Sequence, residues 1–456
     1  MLTRRNSTTE SGFDHRAGPW IAFARVFAGL LLLYEATFGG WWKLGNPEWT
    51  GAERGAVVTA MGEGAIEDGT YSWFAVVLET VVLPYPELWT VLAVIAQVGA
   101  AVALIIGFWT RPAAFITILY FLPVFHLGPS RTSPLFTVPI VFAFVANAGR
   151  YYGVDSLLWN RQDSLGRLTR WLNAPLPISR RWYPGLAAAF AVVALYYLIS
   201  IPQMSETAVD LSALELTIFA GLVAGGFSYL ARGAAPTAVG ADALRIFVGY
   251  RFLQEIFLRT DPGANALPGW ASADAQAEVF AGLAEAHVEP MATLIEGVIL
   301  PTIGFWVILF AAVQTAVGIA LFVGYRTRLA GALGVGYLSV LVSLGLVRLA
   351  PLVFASAIIA ATLGGQHASL DAVAGRDIVP PALPTQLSLP AGAVGIVLLG
   401  VAGLIGIDPE AGYGAVAGAV SLVMFSFGLL ALALVSNPRV AAATERLSIS
   451  RAAANE

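Results

Sequence analysis

Apolar stretches of about 20 residues recur from near the start of this chain to near its end, with few charges inside them. At a rise of 1.5 Å per residue, about 20 helical residues cross the roughly 30 Å hydrocarbon layer of a bilayer. Twelve segments meet that length, approximately 18–39, 87–108, 112–128, 133–149, 184–203, 211–231, 241–258, 302–325, 329–347, 349–364, 388–406 and 412–435. The predicted fold is therefore all-α, a polytopic transmembrane helix bundle of about 12 spans. Composition points the same way. Only 12% of the 456 residues are charged and 57% are apolar, whereas soluble domains carry roughly 25% charge.

Positive charge orients the spans. With the N-terminus inside, seventeen Lys and Arg residues fall in inner loops and five in outer loops, which obeys the positive-inside rule. Both termini are thus expected in the cytoplasm, and the compartment is a plasma membrane. The arginine-rich composition, with Lys43 as the only lysine, points to a prokaryote. The polar start lacks a small-residue cleavage site before "GGWW", so the first apolar run reads as an uncleaved helix. A net charge of −4 without a dense basic patch gives no sign of nucleic-acid binding. The absence of cysteine excludes thiol redox chemistry and thiolate metal or iron–sulfur sites on this chain. His15, His126, His287 and His367 form no ligand-spaced pair. Neither a metal nor a haem is predicted.

The chain repeats itself. "ETVVLPYPELWTVLAVIAQVGAAVALIIGFWTR" from residue 79 is echoed by "EGVILPTIGFWVILFAAVQTAVGIALFVGYRTR" from residue 296, at an offset of 217. The matched pairs include Glu79/Glu296, Pro84/Pro301, Trp89/Trp306, Gln97/Gln314, Gly107/Gly324 and Arg111/Arg328. Upstream, at an offset of 220, Arg25, Gly29 and Glu35 match Arg245, Gly249 and Glu255; downstream, at 216, Asp155 matches Asp371. Six spans per half is an even number, so the halves are predicted to be parallel repeats. Between them, "DSLLWNRQDSLGRLTRWL" places Leu158, Leu165, Leu168 and Leu172 at helical spacing. It predicts an amphipathic helix on the inner leaflet with Asp155 as its N-cap.

The four-span core of each half resembles the DoxX/DoxD family of prokaryotic membrane proteins, which includes the small subunit of thiosulfate:quinone oxidoreductase. The likeness rests on Arg25 with Gly29, on "GGWWKLGNPEW" with Gly40 and Lys43, on "LIIGFWTRPAA" and on "NAGRYYGVD". It divides the chain into a tail (1–17), a first four-span core (18–160) and a linker helix with two spans (161–240). A second, degenerate core (241–375), two further spans (376–436) and a C-terminal tail (437–456) follow. The resemblance implies a helical bundle and, for some members, quinone-linked redox chemistry. Gln97 stands where the family usually places a glutamate, and an amide carries no such proton.

Charge within a span is expensive and needs a partner. Arg25 and Glu35 lie too far apart along one helix to pair, whereas Arg251 and Glu255 are four residues apart and can. Glu35, Lys43 and Glu79 are expected toward the outer face of the first half, joined by His126. With Trp42 and Gln97 they make a candidate quinone-headgroup or proton-exchange site. The competing structural reading has Lys43 snorkelling, both glutamates capping helix ends, Gln97 bonding a neighbouring helix and Trp42 in the aromatic belt. Arg111 and Arg328 read as anchors of the tight turns at Gly107 and Gly324. For Arg25 and Arg245 the available carboxylates are Asp155 and Asp371. Three functions stay open at this point. One is the membrane subunit of a quinone-linked oxidoreductase with quinone as cofactor, a redox partner and a sulfur compound such as thiosulfate as substrate. The others are a twelve-span transporter and a non-catalytic membrane scaffold.

Overall fold

The computed structural model describes residues 6–37, 47–127, 133–159, 161–174, 178–200, 208–259, 272–345, 350–376, 379–405, 417–440 and 442. Among them there is no strand. Each of the twelve predicted spans holds a helix: α1 (Asn6–Thr37), α2 (Pro86–Ile106), α3 (Thr110–Val124) and α4 (Ser133–Val145) form the first set. After the amphipathic α5 (Ser164–Leu172) come α6 (Tyr183–Ser200) and α7 (Ala208–Ala231). The second set is α8 (Pro236–Arg259), α9 (Ile303–Val323), α10 (Thr327–Ser343) and α11 (Ala350–Leu363), followed by α12 (Ser388–Ile405) and α13 (Ala417–Ser436). Seven stretches among the described residues are long and apolar enough to cross a membrane by length and composition, and α3 and α10 are shorter apolar helices.

The first helix begins at Asn6, well before the predicted 18. A helix leaving the apolar layer keeps its internal hydrogen bonds, and hydropathy marks only the part within that layer. The predicted linker helix is divided into Val154–Trp159 and α5. Asp163 starts α5 by accepting the Gly166 N–H at 2.9 Å. Asp155 is not that cap. It lies buried in the preceding short helix and serves another turn.

The two sets pack alike. Neighbours in the first are α1–α2, α2–α3, α3–α4 and α1–α4; in the second they are α8–α9, α9–α10, α10–α11 and α8–α11. Between the sets the contacts are reciprocal, α1 on α11 and α4 on α8, while α7 packs on α8 and α13 on α1. Small residues allow the closest approaches. A Cβ on Gly29 would lie 3.0 Å from the Ile105 nitrogen, and one on Gly249 2.4 Å from that of Phe322. Burial follows this plan: 78% of the apolar window of α1 is buried but only 6% of that of Arg180–Ser200. The peripheral helices turn Val192, Ile308 and Leu404 outward, as a lipid-facing surface requires.

Candidate functional site

One end of each four-helix set is organised by a buried arginine. Arg25 on α1 donates to the carbonyls of Leu104 and Ile105 at the end of α2 and to Tyr152 O at 3.1 Å. Helix C-termini leave carbonyls unpaired and carry partial negative charge, so a guanidinium is well placed there. Gly107, at φ +69°, ends α2, and a Cβ on it would lie 2.5 Å from Arg25 and 2.6 Å from Gly153 Cα. Asp155 closes the turn. It accepts the N–H of Trp109 at 2.7 Å and of Thr110 at 2.9 Å, and its own N–H donates to Gly107 O at 2.8 Å. Burial pushes its carboxyl above the ordinary carboxylate value, against the pull of those donors and of Arg25.

The second half builds the same turn. Arg245 donates to the carbonyls of Leu321, Phe322 and Ala368 beside Gly324, and Asp371 accepts the N–H of Arg326 at 3.0 Å and of Thr327 at 2.7 Å. Burial pushes Asp371 upward too, but the bonds from Thr327, Arg376 and Arg326 outweigh it and hold the carboxyl below its ordinary value. The carboxylates expected beside the arginines thus hold the turn backbone and act on the guanidinium only through space. The direct ion pair is Arg245 with Asp242, at 3.2 Å on its own helix, a residue that sequence reasoning passed over although it lies three positions away. Arg111 crosslinks Phe144 O at 3.1 Å and Asn173 O at 2.8 Å, while Arg328 is exposed and makes no hydrogen bond among the described residues.

At the opposite end, the expected cluster of Glu35, Glu79 and Lys43 is not assembled among the described residues. Glu35 is buried, at 2% exposure. Glu79 is exposed on a π turn, Leu78–Val82, because Leu78 takes the inward position and the next residue points away. No hydrogen bond or ion pair joins Glu79 or His126 to Glu35. Glu296 repeats this beside buried Ile295. Lys43 and Trp42 lie outside the described residues, as does the side chain of Glu255. Arg251 bonds Glu215 of α7 and Gln254, all three buried. Glu215 escaped notice because its partner is 36 residues away and only the α7–α8 packing brings them together.

His126 is built into a different constellation. It sits at the end of α3, where Nδ1–H donates to Leu122 O at 2.9 Å. That bond leaves Nε2 to accept the Tyr197 hydroxyl at 2.8 Å. Thr70 Oγ1 donates to His126 O at 2.8 Å. Ser200 donates its hydroxyl to Tyr197 O, so the Tyr71 hydroxyl, 3.2 Å from Ser200 Oγ, is the donor there. Rings surround the imidazole, with centroids at 5.0 Å (Phe74), 5.1 Å (Trp73) and 5.9 Å (Tyr71). Trp73 and Tyr196 form the outer, exposed edge. In the second half His287 bonds Ser343 O at 2.7 Å, the counterpart of the Thr70 tie, and Ser343 stands in place of His126. Apart from His126, the residues of this cluster were not legible beforehand, because α6 and the segment around Tyr71 meet only in the fold.

Helices of this length and an outward apolar surface define a multi-pass integral membrane protein. Residues 20–127, from α1 to just past the end of α3, match the DoxX family model. No curated protein and no solved structure matches the chain.

Proposed function

We propose that this protein is the membrane subunit of a quinone-linked oxidoreductase in a prokaryotic plasma membrane, both termini cytoplasmic, with electrons supplied by a partner subunit from a sulfur compound such as thiosulfate. In this reading the second half is a structural copy that completes the bundle, and the site belongs to the first half alone. The observation that carries it is the Tyr197–His126 hydrogen bond inside an aromatic enclosure with one exposed edge. A quinone supplies an acceptor of two electrons and two protons. The residues present fit its head: Phe74, Trp73 and Tyr71 offer ring faces, and the Tyr197 oxygen, its proton directed to His126, can accept from a quinol hydroxyl. Tyr197 holds its proton toward His126 Nε2, so the pair can pass a proton between oxygen and nitrogen without rearranging the enclosure. The Nδ1–H bond to Leu122 O keeps the ring in the tautomer that accepts.

Quinone extraction from protein purified in mild detergent, together with thiosulfate-dependent quinone reduction in membranes, tests this reading. Tyr197→Phe and His126→Leu are expected to lower reduction on the order of a hundredfold. Wild-type rates in both variants, or no quinone reduction and no bound quinone at all, would sink it. The buried Arg251–Glu215 pair supports a second reading, a transporter. Uptake of a labelled anion that disappears in Glu215→Gln would favour that instead.

A further inference from the structure

The two halves differ at one matched position. In the second half, Gln314 on α9 donates to Phe252 O at 3.0 Å and accepts the Tyr337 hydroxyl at 2.6 Å. The rings of Phe252 and Phe310 lie 5.7 and 6.0 Å from that of Tyr337. Gln97 and Tyr120 occupy the same two positions in the first half, again at an offset of 217. There the bond is not made. Gln97 is 3% exposed, and its Oε1 is buried with no hydrogen-bond partner. The Tyr120 hydroxyl makes no hydrogen bond among the described residues.

The packing changes at the same place. Ala93 stands where the second half has Phe310, and Leu32 where it has Phe252. Two rings are thereby lost. Thr117, in place of Gly334, returns a smaller volume, and its hydroxyl is engaged by Ala113 O at 2.9 Å and Ala96 O at 3.3 Å. The helix also widens: α2 takes a π turn at Ile95–Gly99, around Gln97, whereas α9 runs as regular α-helix through Gln314. Such turns gather at functional sites. A buried acceptor without a donor is costly and calls for an explanation.

We infer that the first half holds a binding site for a planar, oxygenated six-membered ring beside Gln97 and Tyr120, between α1, α2 and α3. The ring takes the volume that the second half fills with Phe310 and Phe252. A ring hydroxyl donates to Gln97 Oε1, and a ring carbonyl accepts from Tyr120. The second half displays the same chemistry in closed form, with its own phenol, Tyr337, satisfying the carboxamide. The site stands apart from the redox reading, since a phenol that carries no electrons satisfies it as well as a quinol does.

The test is equilibrium dialysis of the detergent-purified full chain against protein-free micelles, with 4-methylphenol and tetramethyl-1,4-benzoquinone as probes. Saturable binding is expected, that of the phenol weakened about tenfold by Gln97→Leu and that of the quinone by Tyr120→Phe. Ala93→Phe, which restores the ring of the second half, abolishes it, and Ala93→Leu serves if that variant elutes aggregated. Gln314→Leu leaves binding unchanged. Uptake no greater than that of micelles, or wild-type binding in Ala93→Phe and Tyr120→Phe, overturns the site. Quinone binding that survives Ala93→Phe but is lost in His126→Leu overturns it and leaves the redox reading standing. Binding lost in Ala93→Phe by a protein that reduces no quinone does the reverse.

Discussion

Gly107 shows how much one residue carries in this molecule. Its positive φ ends α2, and the missing Cβ admits both the Arg25 guanidinium and the Gly153 backbone. Any larger residue must strain the backbone and displace a buried cation, so Gly107→Ala is expected to cost about 1–3 kcal/mol. Gly336, midway along α10 with open space around its Cβ position, is the matching control. There alanine stabilises by about 0.5–1 kcal/mol through helix propensity. Thermal unfolding in detergent separates the two, and equal shifts would contradict the assigned geometry. The need for glycine at 107 was readable from "GFWTR", because a helix end is a local event. That its neighbour is Arg25 was not.

Among the elements, α5 is the one whose boundaries depend on a single cap. Asp163 accepts the Gly166 N–H, and the resulting bonds hold its carboxyl below the ordinary value. Leu168 and Trp171 stay exposed on the helix, in keeping with a helix that lies on a membrane surface. Asp163→Ala is expected to loosen this helix, seen as faster amide exchange confined to residues 164–172. Exchange unchanged there, or raised throughout the bundle, would show that the cap is not what starts it. The heptad-like leucines announced an amphipathic helix. The start of α5 at Ser164 was hidden because Asp155, a plausible cap by type, is drawn instead to the amides of Trp109 and Thr110.

For the whole molecule, the reciprocal contacts of α1 with α11 and α13, and of α8 with α4 and α7, make the halves mutually dependent. Phe27 meets Phe354 at 5.8 Å, and Tyr34 meets Phe427 at 6.2 Å, across that seam. A protease site placed in the exposed loop between α7 and α8, cut after folding, should leave the two parts co-eluting in mild detergent. Separation on cutting would mean that the seam contributes little.

The sequence by itself determined where the helices run, where they end in glycine, and that an arginine, a glycine and an aspartate recur in both halves. These follow from hydropathy and helix termini, which depend on residues within a few turns of one another. Only the tertiary structure decided the partners: Glu215 for Arg251, Tyr197 for His126, backbone amides for Asp155, and Tyr337 for Gln314 but nothing equivalent for Gln97. Which side chains meet depends on how each helix is rotated about its axis and which neighbour it packs against. Those are properties of surfaces brought together from tens to hundreds of residues apart, and no local pattern records them.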